Sequence, residues 1–138
     1  MNNFSYESYT DIIEKVSDKL PIVDFSDVLI GKLNKFCVVR HDIEFSVDRA
    51  LELANVESMF GINSTYTVQL RNNTYNALSE KNIESVREIR KLGHSIGLHQ
   101  NPPQMNDVEL IEYITKDIET LEHYYGFEVD RYAFHRCG

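Results

Sequence analysis

Hydrophobic positions along this chain form short apolar runs that alternate with longer stretches of helical spacing. The runs "FCVVR" (36–40) and "STYTVQL" (64–70) are typical of buried strands, because they are apolar and rich in β-branched or aromatic residues. Between them, apolar side chains recur on one side of a stretch that begins after Ser46 and stops at Gly61. The pattern therefore predicts a strand, a helix and a second strand.

The same alternation continues to the end of the chain. A periodic stretch over 79–92 predicts a second helix, and "HSIGLH" (94–99) predicts a third strand. A capping-box-like start at Asn106 opens a long helix that ends at Gly126, and "RYAFH" (131–135) follows as the fourth strand. The order β-α-β-α-β-α-β predicts an α/β fold whose parallel strands are joined by right-handed crossovers.

The first quarter of the chain follows another pattern. "YTDIIEKVSDKL" (9–20) has apolar residues at helical spacing, and "DFSDVLIGKL" (24–33) predicts a short helical turn. We interpret residues 1–34 as an N-terminal helical lead-in and residues 35–138 as the main domain, which holds four strands with intervening helices.

Composition narrows the classes of function. A net charge of -8 over 138 residues, without a basic stripe, argues against a nucleic-acid partner. No apolar run approaches the ~20 residues of a membrane span, and the polar start lacks a signal-peptide pattern, so we predict a cytoplasmic protein without membrane insertion. Cys37 and Cys137 match neither a disulfide framework nor a CxxC zinc site, and we predict that Cys37 lies in the core.

Polar side chains gather at the predicted carboxyl ends of the strands, where parallel α/β folds place ligands and catalytic groups. In strand order, these ends carry Arg40, His41, Asp42 and Glu44; Gln69 and Arg71; His99, Gln100 and Asn101; and His135 and Arg136. Acids and imidazoles from three strands would therefore meet at one rim.

Carboxylates and histidines from separate strands are typical ligands of a catalytic zinc or a similar divalent ion. Such an ion lowers the pKa of bound water, and a second carboxylate can then act as general base. Asp42 and Glu44 are two residues apart, so both point to the same side of an extended strand. The pattern is compatible with one base and one ligand at a shared site.

Simpler interpretations compete with this one. A lone acid after a strand is more often a solvated loop residue or a helix cap. His94, at the start of its strand, is more typical of a buried core histidine, and His123 suits the end of a long helix. His41 alternates away from Asp42 along the strand, and the pattern leaves its role open.

Four segments in order resemble the motifs of a known family: "VVRHDIEFSVDRALELA", "FGINSTYTVQL", "LGHSIGLHQ" and "YAFHRCG". They are similar to the polysaccharide deacetylase family, also called the NodB-homology or carbohydrate esterase family 4 group. The closest pattern is the branch with "RHDVDFS", "GHEIGLH" and "FHRPG". The resemblance runs from Phe36 to the last residue. It implies a distorted (β/α) barrel of NodB type, of which this chain carries the N-terminal half, and metal-dependent removal of N-acetyl groups from a sugar.

The resemblance also assigns residues. Asp42 matches the general base, and Arg136 matches the arginine that orients that base. Glu44 matches a metal ligand that is usually Asp, and His99 matches the first histidine of the metal pair. The implied cofactor is a divalent metal, with zinc as the expected ion.

The chain departs from the family pattern in several places. Pro103 stands where the second metal histidine should fall, and we predict that His135 takes its place as a ligand. Cys137 replaces a proline. The chain stops at Gly138, before the family's later strands, so we expect a second copy or a C-terminal half to cover the exposed sheet edge.

We therefore predict a metal-dependent hydrolase that acts on an N-acetylated saccharide precursor. The alternative is a catalytically degenerate carbohydrate-binding or assembly module with the same fold, and a third option is another amidohydrolase-like reaction. Three tyrosines could stack on a sugar, although aromatic residues in strands and loops more often belong to the core. They are Tyr66, Tyr75 and Tyr132.

Overall fold

Four parallel strands form one sheet, in the order β1-β2-β3-β4, within the residues 5–135 that this computed structural model describes. In chain order the elements are α1 (Tyr6–Ser17), α2 (Phe25–Leu29), β1 (Arg40–Ile43), α3 (Val47–Met59), β2 (Thr65–Val68), α4 (Glu80–Lys91), β3 (Ser95–Gln100), α5 (Asp107–Tyr125) and β4 (Tyr132–Phe134). The predicted α/β order is confirmed. None of the helices in this described range is long and apolar enough to cross a bilayer.

Side-chain caps start the helices where the sequence predicts. The Ser46 side chain accepts a hydrogen bond from the backbone of Arg49 at the start of α3. Asn106 and Glu109 form a reciprocal capping box at the start of α5. Gly126 ends α5 with a left-handed φ of 79°, a conformation that a residue with a Cβ rarely adopts. These local signals fix where each crossover helix begins and ends.

The first strand lies later in the chain than predicted. Cys37 does not join the sheet; its N–H donates to the Pro21 carbonyl, and its own carbonyl accepts from the Val23 N–H, both at 2.9 Å. Pairing with this N-terminal segment leaves Cys37 half-buried, so the prediction of a core cysteine is wrong. The sheet strand begins only at Arg40, and Asp42 therefore lies within the strand, not beyond its end.

The two faces of the sheet differ in chemistry because side chains alternate along each strand. The helix-covered face is apolar and joins the core of α3, α4 and α5. Its strand residues include Ile43, Tyr66, Val68, Ile96 and Leu98, all buried. Asp42, Thr67 and Gly97 lie side by side in register on the opposite, polar face. Tyr66 is 0% exposed, so it is a core residue and no platform for a sugar.

His94 is the core histidine that the sequence predicts. Its side chain is fully buried, its Nδ1 accepts from the Ser64 N–H at 3.1 Å, and its Nε2 donates to the Ala54 carbonyl at 2.9 Å. Both ring nitrogens are therefore satisfied in the neutral form.

Arg131 crosses the polar face and anchors the start of α2. Its Nη1 donates to Asp24 Oδ1 at 2.8 Å and to Thr65 Oγ1 at 3.0 Å. The arginine passes so close to Gly97 that a Cβ at that position would lie 2.9 Å from Arg131 Cγ. A glycine is therefore required in β3 for this side chain to lie on the sheet.

Candidate metal centre

Three potential metal ligands meet at the carboxyl end of the sheet. Glu44 follows β1, His99 lies near the end of β3, and His135 follows β4. Glu44 Oε1 is 2.8 Å from His135 Nδ1 and 3.5 Å from His99 Nε2, and the two histidine nitrogens are 3.1 Å apart. The structure thus brings together the three residues that the sequence nominates as ligands.

The geometry of these donor atoms fits a divalent ion. Ligands at ~2.0–2.1 Å in a tetrahedral zinc site are separated by about 3.3 Å, and the three distances bracket that value. Two imidazole nitrogens and a carboxylate oxygen are also a donor set of catalytic zinc sites. The side chain of His99 is only 1% exposed, whereas that of Glu44 is 37% exposed. One side of the cluster therefore faces solvent, as a site with an open coordination position requires.

Asp42 lies beside this cluster and is held by two neighbours. Thr67 Oγ1 donates to its Oδ1 at 2.7 Å, and Arg40 Nη2 donates to its Oδ2 at 3.1 Å. Partial burial works to raise the pKa of Asp42, but the hydrogen bond from Thr67 and the interactions with His99 and Arg40 outweigh it and lower that pKa. Asp42 is therefore an ionised, oriented carboxylate at neutral pH.

Asp42 and Glu44 both face the imidazole ring of His99, as their spacing of two residues predicts. Glu44 Oε1 approaches His99 Nε2, and Asp42 Oδ1 lies 3.8 Å from His99 Nδ1. The latter distance is too long for a hydrogen bond. His99 Nδ1 is buried and has no hydrogen-bond partner within residues 5–135. A histidine that binds metal through one nitrogen commonly directs the other toward a carboxylate, and this arrangement places Asp42 on that side.

Gln69, at the end of β2, joins the edge of the cluster. It is 8% exposed, and its Nε2 is 3.3 Å from His135 Nδ1. The loop after β2 contacts the end of β1 through Asn72, Thr74 and Tyr75. Sequence reasoning did not single out Thr67, Asn72 or Thr74, because their partners lie on other elements.

Two other rim residues turn away from the cluster. Gln100 Nε2 donates to Asp117 Oδ2 on α5 at 2.9 Å, and Arg71 pairs with the same carboxylate. Asp117 is buried, with 1% exposure. Strand alternation predicts this outcome for Gln100, because its neighbour His99 faces the site. These residues fasten α5 to the rim.

His41 also points away, toward α3. Its Nε2 lies 2.7 Å from Oε1 of Glu57, a carboxylate that is 1% exposed. Tyr9 from α1 donates to the same oxygen, and Tyr66 donates to Oε2 at 2.7 Å. Burial would raise the pKa of Glu57, but the contacts with His41, Tyr9 and Tyr66 outweigh it and lower that pKa. His41 thus belongs to a buried polar cluster that joins α1 to the sheet.

The remaining predicted residues lie elsewhere. Asn101 and Pro103 are exposed in the loop after β3. His123 is exposed in the last turn of α5, as predicted. Arg136 and Cys137 lie outside the described residues, so the predicted contact between Arg136 and Asp42 remains a prediction. Arg40 makes a contact of that kind within the described structure.

Comparison with known proteins supports the architecture. No protein-family model matches the chain, and no curated protein matches it. Among solved structures, it is similar to the chitin deacetylase from the fungal pathogen Colletotrichum lindemuthianum, with a TM-score of 0.53 and 21% identity. The match covers 66% of this chain and 41% of that one, so the chain spans less than half of the length of the deacetylase. At this identity the similarity shows the fold: four parallel strands and their helices form part of a NodB-type (β/α) barrel.

Proposed function

We propose that this protein is a metal-dependent hydrolase that removes N-acetyl groups from a saccharide. The observation that carries the proposal is the meeting of Glu44, His99 and His135 at the carboxyl end of the sheet, with Asp42 beside them. The barrel-type fold and the four motif-like segments support a deacetylase over other hydrolases.

Glu44, His99 and His135 would hold the ion, and zinc is the metal that their two nitrogens and one carboxylate suit best. A divalent ion bound there supplies Lewis-acid polarisation of a carbonyl and lowers the pKa of water. Because His99 is almost fully buried, its imidazole orientation is fixed by the surrounding packing. The ligands are therefore preorganised on three separate strand ends.

Asp42 would act as the general base. Its ionised carboxylate is free to accept a proton from a water molecule at neutral pH, and Thr67 and Arg40 hold it in one orientation. Arg136, which the family resemblance assigns to the same task, is a proposed second partner. The base thus depends on contacts from β1 and β2 as well as on its own strand position.

A cleft with room for a sugar residue lies along β1, beside α1 and α3, and its lining reaches Asp42 and Glu44 but not His99 or His135. It has a volume of about 480 Å³, borders Asp42 and Glu44, and is lined by Tyr6 and Phe45. Phe45 is 75% exposed next to the proposed ligand Glu44. An aromatic ring beside polar groups is a common way to bind the mixed surface of a saccharide, and the volume lies in the usual range of ligand sites. An N-acetylated saccharide is accordingly the proposed substrate.

Two measurements test the function. Calorimetric titration with zinc should show binding to the wild type and a large loss in His99→Ala, with Lys91→Ala, an exposed substitution on α4, as control. Acetate release from N-acetylated oligosaccharides should require added zinc or cobalt and should disappear in Asp42→Asn while zinc binding persists. Equal, negligible zinc binding by the wild type and His99→Ala would refute the metal centre.

The alternative is a carbohydrate-binding or assembly module that keeps the fold without catalysis. Pro103 at the family's second histidine position favours this function. Oligosaccharide binding without acetate release, at any zinc or cobalt concentration, would support the module over the enzyme. The division at residue 35 and a cytoplasmic setting remain predictions, which limited proteolysis and cell fractionation would check.

A further inference from the structure

The loop between β2 and α4 forms hydrogen bonds with two consecutive carbonyl groups at the end of β1. Tyr75 OH donates to the Ile43 carbonyl at 2.7 Å and accepts from the Gln69 N–H at 2.8 Å. Asn72 Nδ2 donates to the Glu44 carbonyl at 3.0 Å. The Thr74 hydroxyl lies within hydrogen-bond distance of that oxygen and of Asn72 Oδ1, and it can donate its proton to either. Three side chains of one loop are thus in position to hydrogen-bond the backbone of Ile43 and of the proposed ligand Glu44.

Asn72 uses its whole amide group in this arrangement. Its Nδ2 donates to Gln69 Oε1 as well as to the Glu44 carbonyl, and its Oδ1 accepts from the N–H groups of Thr74 and Tyr75. Because the amide has two donors and two acceptor lone pairs, every hydrogen-bonding position is filled. Gln69 in turn approaches His135. The loop therefore links the ends of β1 and β2 and reaches toward β4.

Glu44 needs such support because the sheet does not hold it. The ladder between β1 and β2 pairs Arg40 through Ile43 with Thr65 through Val68 and stops there. If the backbone beyond the ladder were held only by water, the Glu44 carboxylate would sample many positions. A metal ion requires one of these positions, so its binding would then cost conformational entropy. Burial raises the pKa of Tyr75 to about 12, despite the bond from Gln69, so its phenol stays a donor at neutral pH.

We propose that Tyr75, Asn72 and Thr74 are positioning residues of the metal centre, which hold Glu44 within reach of His99 and His135. The inference rests on the proposed function, since it gives these residues a role only if Glu44 binds metal. None of the three side chains belongs to the donor cluster itself. They act through the backbone of a ligand, as hydrogen-bond partners outside the ligand set do in other metal sites.

The decisive experiment compares two phenylalanine variants in the full chain. Tyr75→Phe removes the hydroxyl that bonds the Ile43 carbonyl. Tyr9→Phe is the matched control, because its half-buried hydroxyl bonds Glu57, in the polar cluster that joins α1 to the sheet. Urea denaturation shows whether the two variants lose similar stability. Cobalt(II) affinity, measured by calorimetry, should fall about tenfold in Tyr75→Phe and stay at the wild-type value in Tyr9→Phe. The visible absorption bands of bound cobalt(II) should also change in Tyr75→Phe alone.

Thr74→Val is the second variant, and it tests the positioning role of the loop if Tyr75→Phe does not fold. The residue is exposed, and valine keeps its shape while removing the hydroxyl near the Glu44 carbonyl. A weaker cobalt(II) affinity and altered absorption bands would support the proposal. Wild-type affinity and bands in both variants would overturn it and leave the metal centre intact. A wild type that binds no cobalt(II) or zinc would overturn the proposed function, and the positioning role with it.

Discussion

Glu44 Oε1 lies 2.8 Å from His135 Nδ1, although the strands that carry them, β1 and β4, are the two edges of the sheet. In a flat sheet, three strand spacings would separate such edges by roughly 14 Å. Side chains of this length close that gap only where the sheet curls toward its polar face. The contact is therefore a direct consequence of barrel-type curvature, the same feature that the solved chitin deacetylase shares.

Shortening Glu44 tests how far its carboxylate must reach. Glu44→Asp restores the residue that the resembling family usually carries, but it withdraws the carboxylate by one methylene group from His99 and His135. We expect zinc affinity to fall by about tenfold or more, because the shorter side chain would not bring its carboxylate to the 2.8 and 3.5 Å that separate Glu44 Oε1 from His135 Nδ1 and His99 Nε2. Calorimetric titration measures the loss. Glu84→Asp, an exposed substitution on α4, should bind zinc as the wild type does; unchanged affinity in Glu44→Asp would mean that the backbone adjusts.

Arg40 should matter for catalysis and not for metal binding. Arg40→Gln removes the cation that pairs with Asp42 at 3.1 Å and leaves Glu44, His99 and His135 in place. We expect acetate release to fall by up to about fivefold, mainly in kcat, because an ion pair with an exposed partner contributes about 1 kcal/mol or less.

The control for Arg40 is a second arginine with a structural role. Arg87→Gln removes bonds to the carbonyl groups of Tyr124 and Tyr125, on the helix side of the fold. Its rate of acetate release should match the wild type once both are folded. A parallel loss of zinc affinity in Arg40→Gln would contradict the assignment, since it would place Arg40 in the metal centre.

Periodicity along the chain predicts most of the fold because the decisive signals are local. The caps at Ser46 and Asn106 and the stop at Gly126 lie within the segments that they delimit. The first strand is the exception. Its position depends on pairing between Cys37 and the Pro21–Val23 segment, a contact between parts of the chain that no local pattern relates.

The candidate site likewise combines contacts that the sequence predicts with contacts that it does not predict. The spacing of Asp42 and Glu44 predicts that both face one ring, and the alternation of strands and helices predicts that His99 and His135 join them at one rim. The supporting contacts of Thr67 and Tyr75 do not follow from the sequence. They form between side chains of one element and groups of another, and only the assembled sheet brings these partners together.

The buried cluster around Glu57 should be important for stability. Glu57→Gln keeps the shape of the side chain but replaces one of the two carboxylate oxygens that accept from Tyr9 and Tyr66, and it removes the negative charge beside His41. Because hydrogen bonds to a buried charged group are strong, we expect the free energy of unfolding to fall by about 2 kcal/mol or more. Urea denaturation followed by circular dichroism measures the change.

An exposed glutamate provides the comparison for Glu57. Glu52 also bonds a tyrosine and an arginine, Tyr6 and Arg49, but on the surface. Glu52→Gln should change the free energy of unfolding much less than Glu57→Gln does, because exposed ion pairs contribute little to stability. Equal effects of the two substitutions would show that burial of the Glu57 cluster adds nothing to the stability of the fold.

Asp24 should make the stability of the protein depend on pH in the acid range. Burial works to raise the pKa of Asp24, but hydrogen bonds from Ser26 and Arg131 outweigh it and lower that pKa to about 2 from its ordinary 3.8. A carboxyl group with a lowered pKa in the folded state stabilises the fold fully above its ordinary pKa, and this stabilisation is lost as pH falls toward the folded value. The window of the effect therefore runs from about pH 4 down to about pH 2.

Asp24→Asn isolates this contribution. Above about pH 5 the variant should be less stable than the wild type by a constant amount, and the difference should shrink as pH falls through the window until the two curves approach each other near pH 2. Urea denaturation at a series of pH values measures both curves. Asp48→Asn, which removes an exposed partner of Lys81, should stay close to the wild type throughout. A gap between Asp24→Asn and the wild type that does not narrow below about pH 4 would mean that the bond from Arg131 does not depend on the charge of Asp24.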